Sequence, residues 1–339
     1  MSDERVTEDV LSLKSLDNSG TSEKSAGSRG KTVVLAEPRS FCAGVQRAID
    51  IVEAALERFG PPVYVRKQIV HNEHVVRDLE SRGAHFVDSE EEVPVGALCV
   101  FSAHGVSPAV RRGAADRELQ VIDATCPLVS KVHQESRRFA EDRRTILLIG
   151  HAEHEEVEGT YGEAPERTLV VSTVEEVRAL DLPRDAPVAY LTQTTLALDE
   201  TKEIIEAMEE RFDDLRGPGS DDICYASQNR QNAVKAVAAR TGLVLVVGST
   251  NSSNSVRMVE VARDAGTPAH LLPSPDDLDE SWLTGVDSVG VSAGASAPGT
   301  LVDALLRRLA ALGYATVEVE RTATEDIVFG LPSALKGTA

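Results

Sequence analysis

The stretch Cys126-Pro-Leu-Val-Ser-Lys-Val-His133 has two counterparts in the chain, Cys42-Ala-Gly-Val-Gln-Arg-Ala-Ile49 and Cys224-Tyr-Ala-Ser-Gln-Asn-Arg-Gln231. Each begins with a cysteine at the start of a predicted helix, and an apolar strand that ends in a polar loop follows each helix. A further helix then leads to a second strand with its own polar end. Blocks that recur three times in the same order predict three homologous α/β units.

Polar side chains stand at the ends of both strands in every unit. The six residues are His71, His104, His154, Thr194, Ser252 and Ser296. His71, His154 and Ser252 each come 28 or 29 residues after the cysteine of their unit. Ligands of parallel α/β proteins bind at the carboxyl ends of the strands. We therefore expect the three cysteines and the six loops to converge on one cavity.

These patterns predict an α/β protein of three pseudo-threefold related lobes, with small, mostly parallel sheets around a central cavity. We expect a disordered tail over residues 1–30 and lobes over 31–120, 121–219 and 220–312, each with one of the three cysteines. A C-terminal segment over 313–339 is expected to pack back on the lobes. The alternative is three independent nucleotide-binding folds, but the sequence contains neither GxGxxG nor GxxxxGK[ST].

Charge and cysteine usage exclude several classes of protein. The 339 residues include 35 Lys and Arg and 55 Asp and Glu, so the net charge of −20 argues against nonspecific binding to nucleic acid or anionic membranes. Apolar runs are too short to span a bilayer. The four cysteines are scattered, with no CxxC, and the acidic N-terminus resembles neither a secretory signal nor a transit peptide. We expect a cytoplasmic protein.

Three of the cysteines are candidate metal ligands. Cys42, Cys126 and Cys224 each open a helix, where the helix N-terminus stabilises a thiolate. Three thiolates with an open position could hold catalytic zinc or three irons of a 4Fe–4S cluster, and the absence of paired histidine ligands favours the cluster. Cys99 lies within the apolar run Ala97-Leu-Cys-Val-Phe101, so we interpret it as a core residue.

The loop residues are mostly neutral hydrogen-bond donors, and Lys and Arg are scarce among them. The set comprises His71, His104, His154, Thr194, Ser252, Ser253, Asn254 and Ser296. Imidazoles, hydroxyls and amides near helix N-termini suit a multiply charged phosphate ligand. For any single Ser, Thr or Asn, helix capping is the simpler interpretation.

One acidic residue stands out from the many that are expected at the surface. Glu156 follows His154 by two residues, in a loop predicted to face the cavity. A carboxyl group there could deliver a proton to a leaving hydroxyl. We assign no function to His74, His85, His133 or His270.

Together these blocks resemble the 4-hydroxy-3-methylbut-2-enyl diphosphate reductase family (IspH, also called LytB), over residues 31 to about 332. The matching stretches are Phe41-Cys-Ala-Gly-Val, Val70-His-Asn, Phe101-Ser-Ala-His-Gly-Val, Asp123-Ala-Thr-Cys-Pro-Leu-Val, Gly150-His-x-x-His154, Thr192-Gln-Thr-Thr, Asp222-Ile-Cys-Tyr, Gly248-Ser-x-Asn-Ser-Ser-Asn-Ser and Ala293-Gly-Ala-Ser-Ala-Pro. Any one of these motifs would be weak, but the combination is specific.

The resemblance implies a reductive dehydroxylation that yields isopentenyl and dimethylallyl diphosphates, the last step of the non-mevalonate isoprenoid pathway. It implies a 4Fe–4S cluster with one open iron site, held by Cys42, Cys126 and Cys224, and an electron donor such as ferredoxin or flavodoxin. It further implies that Glu156 and Thr194 act near the substrate hydroxyl, with His154 as a third catalytic candidate. The diphosphate would be held by His71, His104, Ser252, Ser253, Asn254 and Ser296, with His154 beside them.

The chain departs from the family pattern at two positions. Ser40 replaces the glycine usual before Phe-Cys, and Glu155 replaces the proline usual before Glu156. Two alternatives to the reductase remain at this point. One is another threefold, three-cysteine iron–sulfur enzyme, similar to quinolinate synthase, although a dicarboxylate substrate would require more Arg or Lys. The other is a noncatalytic iron–sulfur redox sensor, for which no output segment is visible.

Overall fold

The computed structural model describes residues 30–336, so the predicted disordered tail lies outside the described residues except for Gly30. The strands are β1 Thr32–Glu37, β2 Val63–Arg66, β3 Ala84–Val87, β4 Leu98–Phe101, β5 Gln120–Asp123, β6 Thr145–Ile149, β7 Thr168–Val171, β8 Pro187–Thr192, β9 Asp214–Arg216, β10 Leu243–Val247, β11 Ala269–Leu272, β12 Ser288–Ala293 and β13 Thr316–Arg321. All of their pairings are parallel.

Helices connect the strands, as parallel pairing requires. The α-helices are α1 Ala43–Phe59, α2 Glu73–Ser81, α3 Pro108–Asp116, α4 Pro127–Glu141, α5 Glu155–Tyr161, α6 Val174–Ala179, α7 Leu198–Arg211, α8 Tyr225–Ala238, α9 Ser253–Asp264 and α10 Gly299–Ala311. Short 3-10 helices lie at Glu90–Glu92, Pro275–Asp277, Glu280–Leu283 and Ser333–Leu335. Within residues 30–336, no helix is both long and apolar enough to cross a bilayer.

The three sheets repeat one strand order. Two of them run β3-β2-β4-β5 and β7-β6-β8-β9, and the third runs β11-β10-β12-β1-β13. In the third sheet, β1 takes the fourth position, and β13 is an additional strand at the edge. The strand that opens the described chain therefore completes a sheet formed mainly by its last third. The predicted fold class, three α/β lobes with parallel sheets, is confirmed.

Each sheet is apolar on both faces, which explains the continuous apolar runs in the sequence. In β10, for example, Leu243 and Leu245 pack in one core cluster while Val244 and Val246 pack in another on the opposite face. Strand β4 divides its residues in the same way, and the buried Cys99 belongs to one of the two clusters there. Helices cover both faces and leave the strand ends as the accessible edge.

The repeat also places the three cysteines. Each cysteine follows the fourth strand of one sheet and directly precedes a helix that leads to another sheet. Its backbone N–H donates to a carbonyl two residues beyond the neighbouring third strand, which is Ala295 for Cys42 and Ala103 for Cys126. The acceptor for Cys224 is the carbonyl of Thr194. Three equivalent backbone hydrogen bonds thus anchor three equivalent cysteine junctions.

The end of the described chain runs without regular structure from Thr322 and then packs against the sheet of β2. Leu331 and Leu335 join the apolar core on one face of that sheet. Arg47 Nε donates to the carbonyl of Gly330 at 3.0 Å. These contacts tie the segment to α1.

Candidate active site

Every residue that the sequence singled out for chemistry lines one cavity. These residues are Cys42, His71, His104, Cys126, His154, Glu156, Thr194, Cys224, Ser252, Ser253, Asn254 and Ser296. They come from the cysteine junctions and from the carboxyl ends of strands in all three sheets, as the repeat predicts. Within residues 30–336, no Lys or Arg lines this cavity.

The three cysteines are N-caps of α1, α4 and α8. Cys42 Sγ accepts a hydrogen bond from Val45 N at 3.5 Å, and Cys224 Sγ accepts one from Ser227 N at 3.2 Å. Cys126 has no such capping bond, although the backbone N–H groups of Leu128 and Val129 act on its sulfur and oppose the rise in its pKa. The sulfur atoms therefore lie at helix N-termini, where the backbone dipoles favour a thiolate.

Gly44 keeps space open between two of these sulfurs. A Cβ at this position would lie 2.7 Å from Cys126 Sγ and 3.8 Å from Cys42 Sγ. A side chain would thus fill the volume that the cysteines face. The glycine in the Cys-Ala-Gly-Val motif is required by this close approach and not by its backbone angle.

Without a cationic partner, the thiols of Cys126 and Cys224 are held protonated. Burial, with Cys42 and Cys224 close by, raises the pKa of Cys126 to about 12. Burial and the nearby Cys42 raise the pKa of Cys224 to about 11. Three partly buried thiolates at close range need positive charge, and the lining residues supply no cationic Lys or Arg. A soft metal centre bound to three sulfurs fits this donor set.

Three histidines line another part of the cavity, which presents imidazole rings instead of thiols. The rings of His71 and His104 stack with their centroids 4.0 Å apart and their planes 16° from parallel. His154 meets both rings edge-on, at 5.3 and 5.9 Å. Burial lowers the pKa of His104 to about 4, and burial together with the facing imidazoles lowers the pKa of His71 and His154 to about 3. The rings are therefore neutral at neutral pH.

His154 caps helix α5 and so positions Glu156. Its Nδ1 accepts a hydrogen bond from Glu156 N at 3.2 Å. The Glu156 carboxyl group is buried, and its two oxygens lie 2.6 Å from Thr194 N and 3.0 Å from Thr194 Oγ1. Burial raises the pKa of Glu156 to about 7, against the lowering effect of the Thr194 bonds. This group can therefore exchange a proton near neutral pH.

Hydroxyl and amide groups gather at the N-terminus of helix α9. Ser252 is its N-cap, and its Oγ lies 3.3 Å from Ser296 Oγ. Ser253 Oγ lies 2.9 Å from Thr195 Oγ1, and Asn254 Oδ1 accepts a bond from Ala295 N at 2.8 Å. Ser252 thus has the capping role that sequence reasoning offered as the alternative, and it still lines the cavity. A twelve-residue helix that points its N-terminus into a cavity favours an anion there.

Several residues that line the cavity were not identified from the sequence. Ser227 contacts Cys224 Sγ at 3.1 Å, and its position three residues after an N-cap cysteine was an available signal. Thr195 is adjacent to Thr194 and could have been included for that reason. Tyr225 and Phe329 also line the cavity. Phe329 comes from the irregular C-terminal segment, where the sequence carries no pattern.

The two departures from the family pattern have visible structural consequences. Ser40 adopts φ 60°, in the left-handed region that favours glycine, and its buried hydroxyl has no hydrogen-bond partner. Glu155 is the first residue of α5, and its carboxylate reaches His104 at 3.1 Å.

Comparisons with known proteins agree with this geometry. The model of the LytB protein family matches residues 33–310. The chain is 57% identical over 307 residues to "4-hydroxy-3-methylbut-2-enyl diphosphate reductase 1" of Mycobacterium bovis, covering 90% of this chain and 92% of the relative. It is 57% identical over 309 residues to the reductase of the same name from Nocardia farcinica, covering 91% and 92%.

Solved structures of such reductases share the fold. The "E-1-hydroxy-2-methyl-but-2-enyl-4-diphosphate reductase" of Plasmodium falciparum superposes with a TM-score of 0.88 at 38% identity, covering 90% of this chain and 97% of the other. A second structure, described as the terminal enzyme of the non-mevalonate pathway, superposes with a TM-score of 0.60 at 29% identity, covering 83% and 99%. The chain therefore belongs to the LytB family.

Proposed function

We infer that this chain is a 4-hydroxy-3-methylbut-2-enyl diphosphate reductase, the oxidoreductase that ends the non-mevalonate isoprenoid pathway. The reaction consumes two electrons and two protons, breaks the allylic C–O bond and releases water with isopentenyl or dimethylallyl diphosphate. The observation that carries this conclusion is the convergence of three cysteines, three histidines and the Glu156–Thr194 pair on one cavity in a LytB-family fold.

Cys42, Cys126 and Cys224 are proposed to hold a 4Fe–4S cluster with one open iron site. When bound, the cluster would supply electrons and a Lewis-acid site for the substrate hydroxyl. Two observations support this assignment: Gly44 leaves the space between the sulfurs open, and partly buried thiolates need a cationic partner. The three residues would share one role, since their junctions are equivalent in backbone hydrogen bonding.

The diphosphate is proposed to bind among His71, His104, His154, Ser252, Ser253, Asn254 and Ser296. Imidazoles, hydroxyls, an amide and the α9 N-terminus surround this space, so the anion would be held by many short hydrogen bonds instead of a Lys or Arg clamp. His154 would serve here through its ring nitrogen that does not cap α5. This anchor fixes the position of the allylic carbon relative to the cysteine end of the cavity.

Glu156 is proposed as the proton donor or relay to the leaving hydroxyl. Its pKa of about 7 keeps a proton available at neutral pH, and its bonds to Thr194 hold the carboxyl group in one orientation. Thr194 Oγ1 can also contact the hydroxyl, since it lines the same space. Burial of both side chains keeps bulk water from competing for the proton.

The electron donor is proposed to be a small reduced ferredoxin or flavodoxin, and the compartment the cytoplasm. The division into lobes at 31–120, 121–219 and 220–312, with 313–339 packing back on them, likewise remains our proposal for the domain organisation. A dicarboxylate substrate of the quinolinate synthase type would need cationic side chains, which are absent from the cavity lining within residues 30–336. No observation favours a noncatalytic sensor.

The test is an anaerobic assay on cluster-reconstituted protein, with the allylic hydroxy-diphosphate and a reduced one-electron dye. We expect both isoprenoid diphosphates to form and their formation to require the cluster. Iron and sulfide at about four each per chain, with no product, would reject the reductase and leave the threefold fold with another substrate.

A further inference from the structure

Glu155 lies between His154, the N-cap of α5, and Glu156, both of which line the cavity, yet the proposed reaction gives it no task. Its side chain is 23% exposed, and its Oε2 lies 3.1 Å from Nδ1 of His104, which is 14% exposed. The two residues are 51 positions apart and come from different sheets. The contact is therefore made by the tertiary fold, and it joins Glu155 to a histidine that lines the cavity.

The stack of imidazoles limits what this contact can do. Ligand atoms of His71, His104 and Glu155 all lie within 4.8 Å of one another, as they would around a metal ion. The rings of His71 and His104, however, are only 16° from parallel. Lone pairs of nearly parallel rings lie in separate planes, so they do not aim at one ion. The arrangement instead suits a carboxylate that accepts the Nδ1–H of His104.

A carboxylate only accepts hydrogen bonds, so it selects the form of His104 that carries a proton on Nδ1. Nε2 is then the ring atom left to meet a ligand. In the neutral ring Nε2 is an acceptor, which is unsuited to a phosphate oxygen. It becomes a donor when the ring takes up a second proton.

We propose that Glu155 is a positioning residue, which holds His104 by its Nδ1–H and supplies the counter-charge that lets this ring take up a proton when a diphosphate binds. The proposal rests on the proposed function, because it concerns the same diphosphate site. Glu155 itself does not touch the substrate. It acts through His104, on binding and not on the chemical step.

The charges around the pair agree with this role. His71 and His154 face His104, and both are neutral at neutral pH because burial lowers their pKa. His71 most strongly, then Lys67, His154 and Arg66, oppose the rise in the pKa of Glu155 that burial causes. Free His104 is neutral as well, with its pKa lowered to about 4. Of these three rings, His104 is the one with a nitrogen within hydrogen-bond distance of a carboxylate, so this geometry favours it as the site of a proton taken up with the anion.

The experiment measures binding of inorganic pyrophosphate to the anaerobic, cluster-loaded enzyme by calorimetry, in buffers with different ionisation enthalpies. Such buffers report how many protons enter with the ligand. Glu155→Gln keeps the shape and removes the charge. Glu155→Asp keeps the charge. Glu158→Gln is the matched control, because Glu158 lies on the same helix and is exposed.

We expect Glu155→Gln to weaken pyrophosphate binding about tenfold, as loss of a hydrogen bond between charged groups does. It should also take up fewer protons than the wild type near neutral pH. KM for the substrate should rise by a similar factor, with kcat nearly unchanged. Glu155→Asp should recover part of the proton uptake, and Glu158→Gln should behave as the wild type. A purely structural role would not change the number of protons bound.

Two results would overturn the inference. One is pyrophosphate binding by Glu155→Gln with the affinity and proton uptake of Glu158→Gln. The other is stoichiometric binding of Zn²⁺ to the wild type that Glu155→Gln loses, which would assign the group to a metal. Failure of the wild type itself to bind pyrophosphate would instead contradict the proposed diphosphate site, so the two failures are distinguishable.

Discussion

The cysteine junctions and the strand-end loops border the same cavity, but they keep the threefold repeat to different degrees. All three junctions have a cysteine at an N-cap and the same backbone hydrogen bond to the neighbouring strand end. The loops have diverged: equivalent positions carry His71, His154 and Ser252. Three like ligands suit a symmetric inorganic centre, whereas an asymmetric substrate needs different donors on its different sides. The repeat thus accounts for the proposed metal site, and divergence accounts for the proposed substrate site.

The largest effects should come from substitutions at the three cysteine junctions, which keep the threefold repeat. Serine at Cys42, Cys126 or Cys224 should abolish the visible absorption of the cluster and lower turnover by more than about a hundredfold, since even residues that only support metal ligands cost up to about that much. The three losses should be alike, because the three junctions are alike. Absorption spectra, iron content and turnover of the reconstituted variants measure this.

The control for these variants is Cys99→Ala. Cys99 is fully buried in an apolar cluster, and burial raises the pKa of its thiol to about 12. This variant should keep the cluster and lose only about 1 kcal/mol of stability from the lost packing. Full cluster retention in one of the three serine variants would contradict the equivalence of the junctions.

The next largest effect should come from Glu156, a carboxyl group that only one of the strand-end loops carries. Glu156→Gln should lower kcat by a factor on the order of 10²–10⁴, the usual contribution of a positioned acid, and leave the cluster spectrum intact. Wild-type kcat should fall as pH rises through about 7, because burial raises the pKa of Glu156 and the protonated acid disappears above that pH. A pH profile of kcat, recorded anaerobically, measures this decrease. If Glu156→Gln shows the same decrease, the titrating group is not Glu156.

The smallest effect concerns a local asymmetry among the junctions. Ser40 precedes Cys42 with φ 60° and carries a buried hydroxyl without a partner. Ser40→Gly should raise the free energy of unfolding by about 1 kcal/mol, because relief of the left-handed strain and of the unpaired hydroxyl outweighs the greater freedom of glycine in the unfolded chain. Denaturant unfolding of the cluster-free protein measures it. A decrease in stability would show that Ser40 contributes an interaction that glycine lacks.

Local sequence patterns are sufficient to predict much of the structure of this protein. Continuous apolar runs such as Leu243–Val247 predict strands buried on both faces, and each cysteine marks a helix start by its position after a strand. The spacing from Cys126 to His154 and from Cys224 to Ser252 predicts that these residues share one edge of their lobes. Such features depend on neighbours within one unit, so the sequence displays them directly.

Contacts between the units could not be predicted from local sequence patterns. The pairing of β1 with β12 and β13 joins segments from opposite ends of the chain. Phe329 reaches the cavity from a segment with no periodic pattern. The contact between Glu155 and His104 depends on the relative placement of two sheets, which no local pattern reports.

The sequence by itself determined the α/β class, the threefold repeat and the residue types at the strand ends, because strand and helix periodicity and chemical identity are local properties. Only the tertiary structure decided that β1 completes the third sheet, that burial brings the pKa of Glu156 to about 7, and that Glu155 meets His104. Burial and the distances between side chains from separate sheets arise from the packing of the whole chain. They set the charge and the proton affinity of a group, and therefore its chemistry, after the sequence has supplied the group itself.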